Sequence, residues 1–121
     1  MQYCIRVLLA FEDDYRTYRE VFAAGIQILR PHLEVDTSSL ESLGERIERF
    51  DPHLVICSQP NTVDPGGRAA WIELSVDPHQ PSTICVGGHY SERPKPSLDL
   101  LLEIIDRVEG LVEANNDLRG C

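Results

Sequence analysis

The chain is poor in lysine, in aromatic residues and in long apolar runs. Lysine occurs once, at Lys95, and acidic residues outnumber basic ones by 20 to 11, which gives a formal net charge of −9. A field of that sign repels phosphate backbones and anionic lipids. No apolar stretch approaches the roughly 20 residues of a membrane span. The composition therefore argues against binding of nucleic acid or of a membrane by this domain.

Cysteine is present but lacks a metal or redox pattern. The four cysteines form no CxxC pair, and the four histidines have no spacing typical of a zinc site. We therefore expect no disulfide framework, no metal and no cofactor. The apolar run at the amino terminus is followed at once by acidic residues and has no small-residue cleavage site. We interpret it as a core strand of a cytoplasmic protein.

A length of 121 residues suits one domain with a substantial core. We expect this domain to span residues 1–113, with a frayed tail at 114–121. Apolar runs predict four strands: Cys4–Phe11, Leu33–Val35, Leu54–Cys57 and Thr83–Val86. Helical spacing predicts four helices, which begin near Tyr15, Leu40, Arg68 and Ser97, the last reaching about Glu113. Alternating strands and helices are typical of an α/β fold with a parallel sheet covered on both faces.

Chemistry in such a fold is concentrated where the strands end. The stretch DPHLVICSQP turns from apolar to polar at Ser58, and the first strand ends before Glu12 and Asp13. The fourth strand ends at Gly87, and Lys95 follows a short irregular stretch. We expect these five residues to share one edge of the sheet, where carboxylates, a hydroxyl and an ammonium group would form a pocket.

These segments resemble the receiver domain of bacterial response regulators. Four segments occur in the order that the family shows. They are the acidic pair after the first strand, the DPHLVICSQP strand with its following loop glycine, DPHQPSTICVGG and KPSLDLLLEII. The resemblance implies a flavodoxin-like, doubly wound parallel sheet. It also implies a phosphorylation pocket, to which Glu12, Asp13, Ser58, Gly87 and Lys95 would correspond.

Two departures from the family determine the expected function. Receivers accept phosphate on an aspartate where this chain has Ser58, and a serine supplies no carboxylate for a mixed anhydride or a metal. Only six residues separate Gly88 from Lys95, too few for the family's fourth helix and fifth strand. We therefore expect four strands in the order 2-1-3-4, with the fifth lost or irregular and the fourth left at the edge.

The last predicted helix has an apolar arc of roughly 200°, wider than the approximately 100° of an ordinary surface helix. Either nearby loops cover the excess, or it forms a protein–protein surface. We favour an interface, with a second copy in a homodimer or with another protein. Its expected residues are Ile84, Val86, Leu100, Ile104 and Leu111.

Three functions follow as hypotheses. The first is a degenerate receiver-like regulatory module that is not an enzyme and acts through protein–protein contacts. The second is a small-molecule or anion binder at the carboxyl edge of the strands. The third makes Ser58 a nucleophile or phosphoacceptor, but no histidine is placed to activate it, and a serine at a strand end commonly bonds to the backbone instead.

Overall fold

The computed structural model describes residues 5–39, 41–58, 70–75, 79–94 and 97–113. Within these ranges the chain forms an α/β domain with one six-stranded sheet and three α-helices. The strands are β1 (Arg6–Phe11), β2 (Glu34–Ser39), β3 (Leu54–Ser58), β4 (Ala70–Leu74), β5 (Ser82–Val86) and β6 (His89–Arg93). The helices are α1 (Arg16–Leu29), α2 (Leu43–Phe50) and α3 (Leu98–Glu113), and a 3-10 turn (Asp13–Tyr15) precedes α1.

The sheet is mixed, with the order β2-β1-β3-β4-β5-β6. The first four strands are mutually parallel, whereas β5 runs antiparallel to β4 and β6 runs antiparallel to β5. The four-stranded, wholly parallel sheet of a flavodoxin-like fold, expected from the sequence, is therefore not observed. The fourth place is filled by Ala70–Leu74 and not by Thr83–Val86, and β6 rather than the predicted fourth strand lies at the edge.

The segment predicted as a third helix, Arg68–Ser75, contains strand β4 instead. Ala70, Ile72 and Leu74 belong to the core on one face of the sheet, while Trp71 belongs to the core on the other. A central strand buried on both faces is apolar at successive positions, so its sequence shows no period-two alternation. Periodicity alone does not distinguish such a run from a buried helix.

The stretch after Gly88, expected to be irregular, forms β6 and closes a hairpin with β5. Val86 pairs with His89 across a two-residue turn in which Gly87 and Gly88 have φ of 56° and 87°. Positive φ at both central positions matches the right-handed twist of a hairpin, and glycine adopts it without steric cost. The Gly-Gly pair was therefore a hairpin signal that the sequence interpretation missed.

Helices cover both faces of the sheet, as the sequence predicted. Alternate residues of β1 point to opposite sides: Leu9 joins a core with Ile26 of α1 and Ile105 of α3, while Leu8 joins a smaller core under α2. The amino end of α3 is also as predicted, since the backbone N–H of Leu100 donates to the Ser97 hydroxyl at 3.3 Å. In the described part of the chain, no helix is long and apolar enough to cross a membrane.

An ion pair between Arg30, which follows α1, and Asp106 of α3 links the two helices. The Arg30 guanidinium donates to both carboxylate oxygens of Asp106, at 2.9 and 2.8 Å. This hydrogen bonding lowers the pKa of Asp106 below its ordinary value of 3.8. Nearby, the His32 imidazole lies 2.7 Å from a carboxylate oxygen of Glu109. These contacts hold the two helices side by side over the larger core.

We expect Asp106→Asn to lower the stability of the fold in a pH-dependent way. A carboxyl whose folded pKa is depressed contributes stability above its unfolded pKa and loses that contribution as the pH falls through the folded value. The difference between the variant and the parent should therefore be present at neutral pH and disappear well below pH 3.8. Urea unfolding at several pH values measures it.

Glu103→Gln is the matched control, because Glu103 is an exposed acid of the same helix. It should leave stability nearly unchanged over the whole range. A deficit in Asp106→Asn that persists undiminished at low pH would show that the ion pair is not its cause.

Candidate functional site

Ser58 is the last residue of β3 and is completely buried. It lies at the carboxyl edge of the parallel strands because β1, β3 and β4 all end there: Ala10 pairs with Cys57, and Ser58 pairs with Leu74. This is the edge at which the sequence placed the candidate pocket. The position of Ser58 agrees with that expectation, but its burial does not suit a group that must meet a substrate.

The Ser58 hydroxyl bonds to the backbone of the neighbouring strand end. The N–H of Glu12 donates to Ser58 Oγ at 3.0 Å. This N–H follows the last ladder residue of β1, so the serine supplies the acceptor that the sheet no longer provides. No ionisable side chain among the described residues hydrogen-bonds to Ser58, so the structure offers it no general base. The geometry is that of a strand-end serine which joins two strands.

A second buried serine, Ser82, also accepts a hydrogen bond from the backbone N–H that follows a neighbouring strand. The backbone N–H of Ser75, just after β4, donates to the Ser82 hydroxyl at 2.8 Å, and Ser82 is completely buried. At the carboxyl edge, two buried hydroxyls thus satisfy backbone donors. The sequence interpretation missed Ser82, because its role depends on an antiparallel β5 that brings the start of that strand to this edge.

Gly87 does not lie at this edge, contrary to the sequence prediction. Because β5 is antiparallel, its end lies at the amino edge of the parallel strands, where Val86 pairs with Ala70 at the start of β4. The length of β4 therefore separates Gly87 from Ser58. Of the predicted pocket residues, the structure brings together Glu12 and Ser58. The side chain of Asp13 and all of Lys95 lie outside the described residues.

The cysteines near the site are not placed for nucleophilic chemistry. Cys57 is a buried free thiol, and desolvation, aided by the negative charge of Glu73, raises its pKa far above the ordinary value. A thiol held protonated is a poor nucleophile. Cys85 is buried as predicted, but it is disulfide-bonded, which the sequence interpretation did not expect. The described residues contain no group of three or more His, Cys, Asp or Glu side chains able to hold a metal.

The predicted interface residues lie in or against the core of their own chain. Ile84, Val86 and Ile104 are buried, and Leu100 and Leu111 are partly buried against the same cluster. The apolar arc of α3 therefore packs within the chain, in the same core cluster as residues of β1, β3, β4 and β5. None of the five side chains is in the exposed class in this structure.

Exposed apolar side chains concentrate instead on α1. The described residues include five large hydrophobic side chains that are exposed, and four are on this helix: Tyr18 (42%), Val21 (61%), Ile28 (76%) and Leu29 (49%). The fifth is Tyr90 of β6. Isolated exposed hydrophobics are normal, but a group on one helix indicates a contact surface.

Comparison with known proteins gives no match: no family model, no curated protein and no solved structure is similar to this chain at a significant level.

We expect Ser58→Ala to destabilise the fold by about 1 to 3 kcal/mol, the range for removing one partner of a buried hydrogen bond. The change leaves the Glu12 N–H without its acceptor. Chemical denaturation measures the free energy of unfolding.

Ser91→Ala tests whether the effect is specific, since Ser91 is an exposed serine of β6. It should shift stability by no more than about 0.5 kcal/mol, as surface substitutions usually do. Equal effects of the two variants would show that the Ser58 hydroxyl has no special structural role.

Proposed function

We propose that this chain is a regulatory interaction module that is not an enzyme, carries no phosphoacceptor and pairs with a second copy of itself through helix α1. The resemblance to response-regulator receivers supports the regulatory part of this proposal. The burial of Ser58 and its bond to the Glu12 backbone support the absence of a phosphoacceptor. The exposed apolar residues of α1 are the observation that carries the proposal of self-association.

Four of the exposed residues of α1 follow the spacing by which one helix pairs with another. Thr17, Val21, Ala24 and Ile28 are all exposed and are separated by four, three and four residues. At about 100° per residue, the four lie within roughly 60° of one another around the helix. This alternation of three and four is the spacing by which one helix packs along another. We call these four residues the α1 seam.

The α1 seam is complementary to itself in an antiparallel arrangement. When two copies of α1 cross near Ala24, Val21 of each faces Ile28 of the other. The small Ala24 at the crossing lets the two backbones approach closely. Such a contact uses the same patch on both copies, which is the geometry of a two-fold dimer.

Charge favours this surface over the rest of the molecule. The chain has a net charge of −9, so two copies repel each other over most approaches. The α1 seam contains no ionisable residue, and Glu20 is the one acid on α1. Pairing along α1 therefore brings apolar surface together with little repulsion between like charges.

The edge strand β6 is a weaker candidate for self-association. Its five residues are all exposed, but they include Glu92 and Arg93, and Pro94 follows directly. Charged side chains and proline on an edge strand are the features by which proteins prevent strand addition. We therefore place the contact on α1.

The dimer should be weak. Fourteen residues of helix extend about 21 Å. One helix pair of that length buries less than the approximately 1,600 Å² of a standard stable interface. We expect an equilibrium between monomer and dimer in the micromolar range, where a regulatory contact is readily reversed.

The paired substitution Val21→Glu with Ile28→Glu should shift the protein to the monomer and weaken self-association by at least about tenfold, because pairing would then desolvate unpaired charges. Both residues are exposed, so the fold should be retained. Sedimentation velocity over a concentration series, with circular dichroism to verify folding, measures both.

Arg16→Glu is the control, because it also makes the chain more negative by two charges but lies on α1 outside the seam. It should dimerise like the parent. A parent that is monomeric at hundreds of micromolar, or equal weakening by the control, would refute pairing through the α1 seam.

The absence of a phosphoacceptor is tested separately. Incubation with acetyl phosphate and magnesium should leave the chain unmodified by intact-mass measurement, because Ser58 is buried and no ionisable side chain of the described residues hydrogen-bonds to it. A receiver domain with its aspartate intact should be modified under the same conditions. Stoichiometric phosphorylation of this chain would overturn this part of the proposal whether or not it dimerises.

A further inference from the structure

A cleft opens at the end of the sheet opposite Ser58. It has a volume of about 330 Å³ and lies between α3 and the β5–β6 turn. The described residues that line it are Val86, Gly87, His89, Arg107, Gly110 and Leu111. This volume is at the lower end of the approximately 300 to 1,000 Å³ of small-molecule sites.

The charge of the lining is opposite to that of the protein. Among the described residues, Arg107 and His89 are the ionisable groups that line the cleft and no acidic residue does so, although the chain carries 20 acidic residues. Within the described part of the chain, neither side chain has an ion-pair partner; the acids Asp106 and Glu109 on the same helix are engaged by Arg30 and His32. The Arg107 guanidinium therefore remains available to a ligand.

The rest of the described lining consists of aliphatic side chains and of glycine, which has no side chain. Val86 and Leu111 supply aliphatic surface, and Gly110 presents no side chain. A Cβ placed on Gly110 would meet no atom within 4 Å, so the packing of the fold does not require glycine there. Glycine in a helix interior costs stability relative to alanine. The absence of a side chain at Gly110 leaves the cleft open.

We propose that this cleft binds a small amphipathic anion, with its carboxylate or phosphate head against Arg107 and His89 and its apolar part against Val86 and Leu111. Guanidinium groups bind carboxylates and phosphates through paired hydrogen bonds. The partial negative charge at the carboxyl end of α3 opposes an anion, but it is smaller than the full charge of Arg107. The cleft shares no residue with the α1 seam, so a failure of this proposal would not refute self-association, and the reverse also holds.

A titration of the full chain followed by amide NMR tests the proposal, with four probes that share a six-carbon chain: hexanoate, hexyl phosphate, hexanol and hexylammonium. Hexanoate or hexyl phosphate should shift the Gly87 and Gly110 resonances saturably. Hexanol should bind about tenfold more weakly, and hexylammonium should not bind. The stronger of the two anions identifies the head group.

Two variants locate the site. Arg107→Gln should weaken anion binding about tenfold, whereas Arg16→Gln, an exposed arginine on α1, should not. Gly110→Leu should abolish binding by filling the cleft, whereas Gly44→Leu, at a helical glycine that also has open space around its Cβ position, should leave binding intact.

Several results would overturn the proposal. They are an absence of saturable binding by either anion, equal affinity for hexanol and hexanoate, unchanged affinity in Arg107→Gln or Gly110→Leu, and shifts that map to another surface.

Discussion

The hydrogen bonding of Ala70–Leu74 to β3 is the constraint on which the arrangement of this protein depends. Because β4 occupies the place beside β3 in parallel, β5 is kept away from β3 and pairs antiparallel with the outer edge of β4. The short connection through Gly87 and Gly88 then turns the chain back as β6. One parallel pairing thus determines which residues reach each end of the sheet.

The two ends of the sheet consequently have different chemical character. At the carboxyl edge of the parallel strands, buried serine hydroxyls accept hydrogen bonds from backbone N–H groups and close the structure. At the opposite edge, the hairpin turn and α3 leave an open cleft with two basic side chains. In the described part of the chain, the cleft thus lies at the edge opposite to the one where α/β proteins usually bind ligands.

The same pairing changes which surfaces remain for contacts with other molecules. Ile84 and Val86 of β5 share one core with α3, so the apolar arc of that helix is used within the chain, and Ile104 is buried. Helix α1 packs on the same face of the sheet, and the ion pair between Arg30 and Asp106 holds the two helices together. Its outer side is left with Val21 and Ile28 exposed. We propose self-association through the α1 seam because its apolar side chains are not covered within the chain.

The sequence by itself determined the local elements whose signals are local: the apolar runs of β1 and β3, the serine cap of α3, and the polar switch at Ser58 that marks a strand end. It did not determine that 70–74 is a strand, because a segment buried on both faces has no periodicity to distinguish it from a helix. The direction of β5, and with it the separation of Gly87 from Ser58, was decided only by the tertiary structure. Strand pairing joins residues distant in sequence, and the choice between parallel and antiparallel neighbours depends on how all the strands share one core.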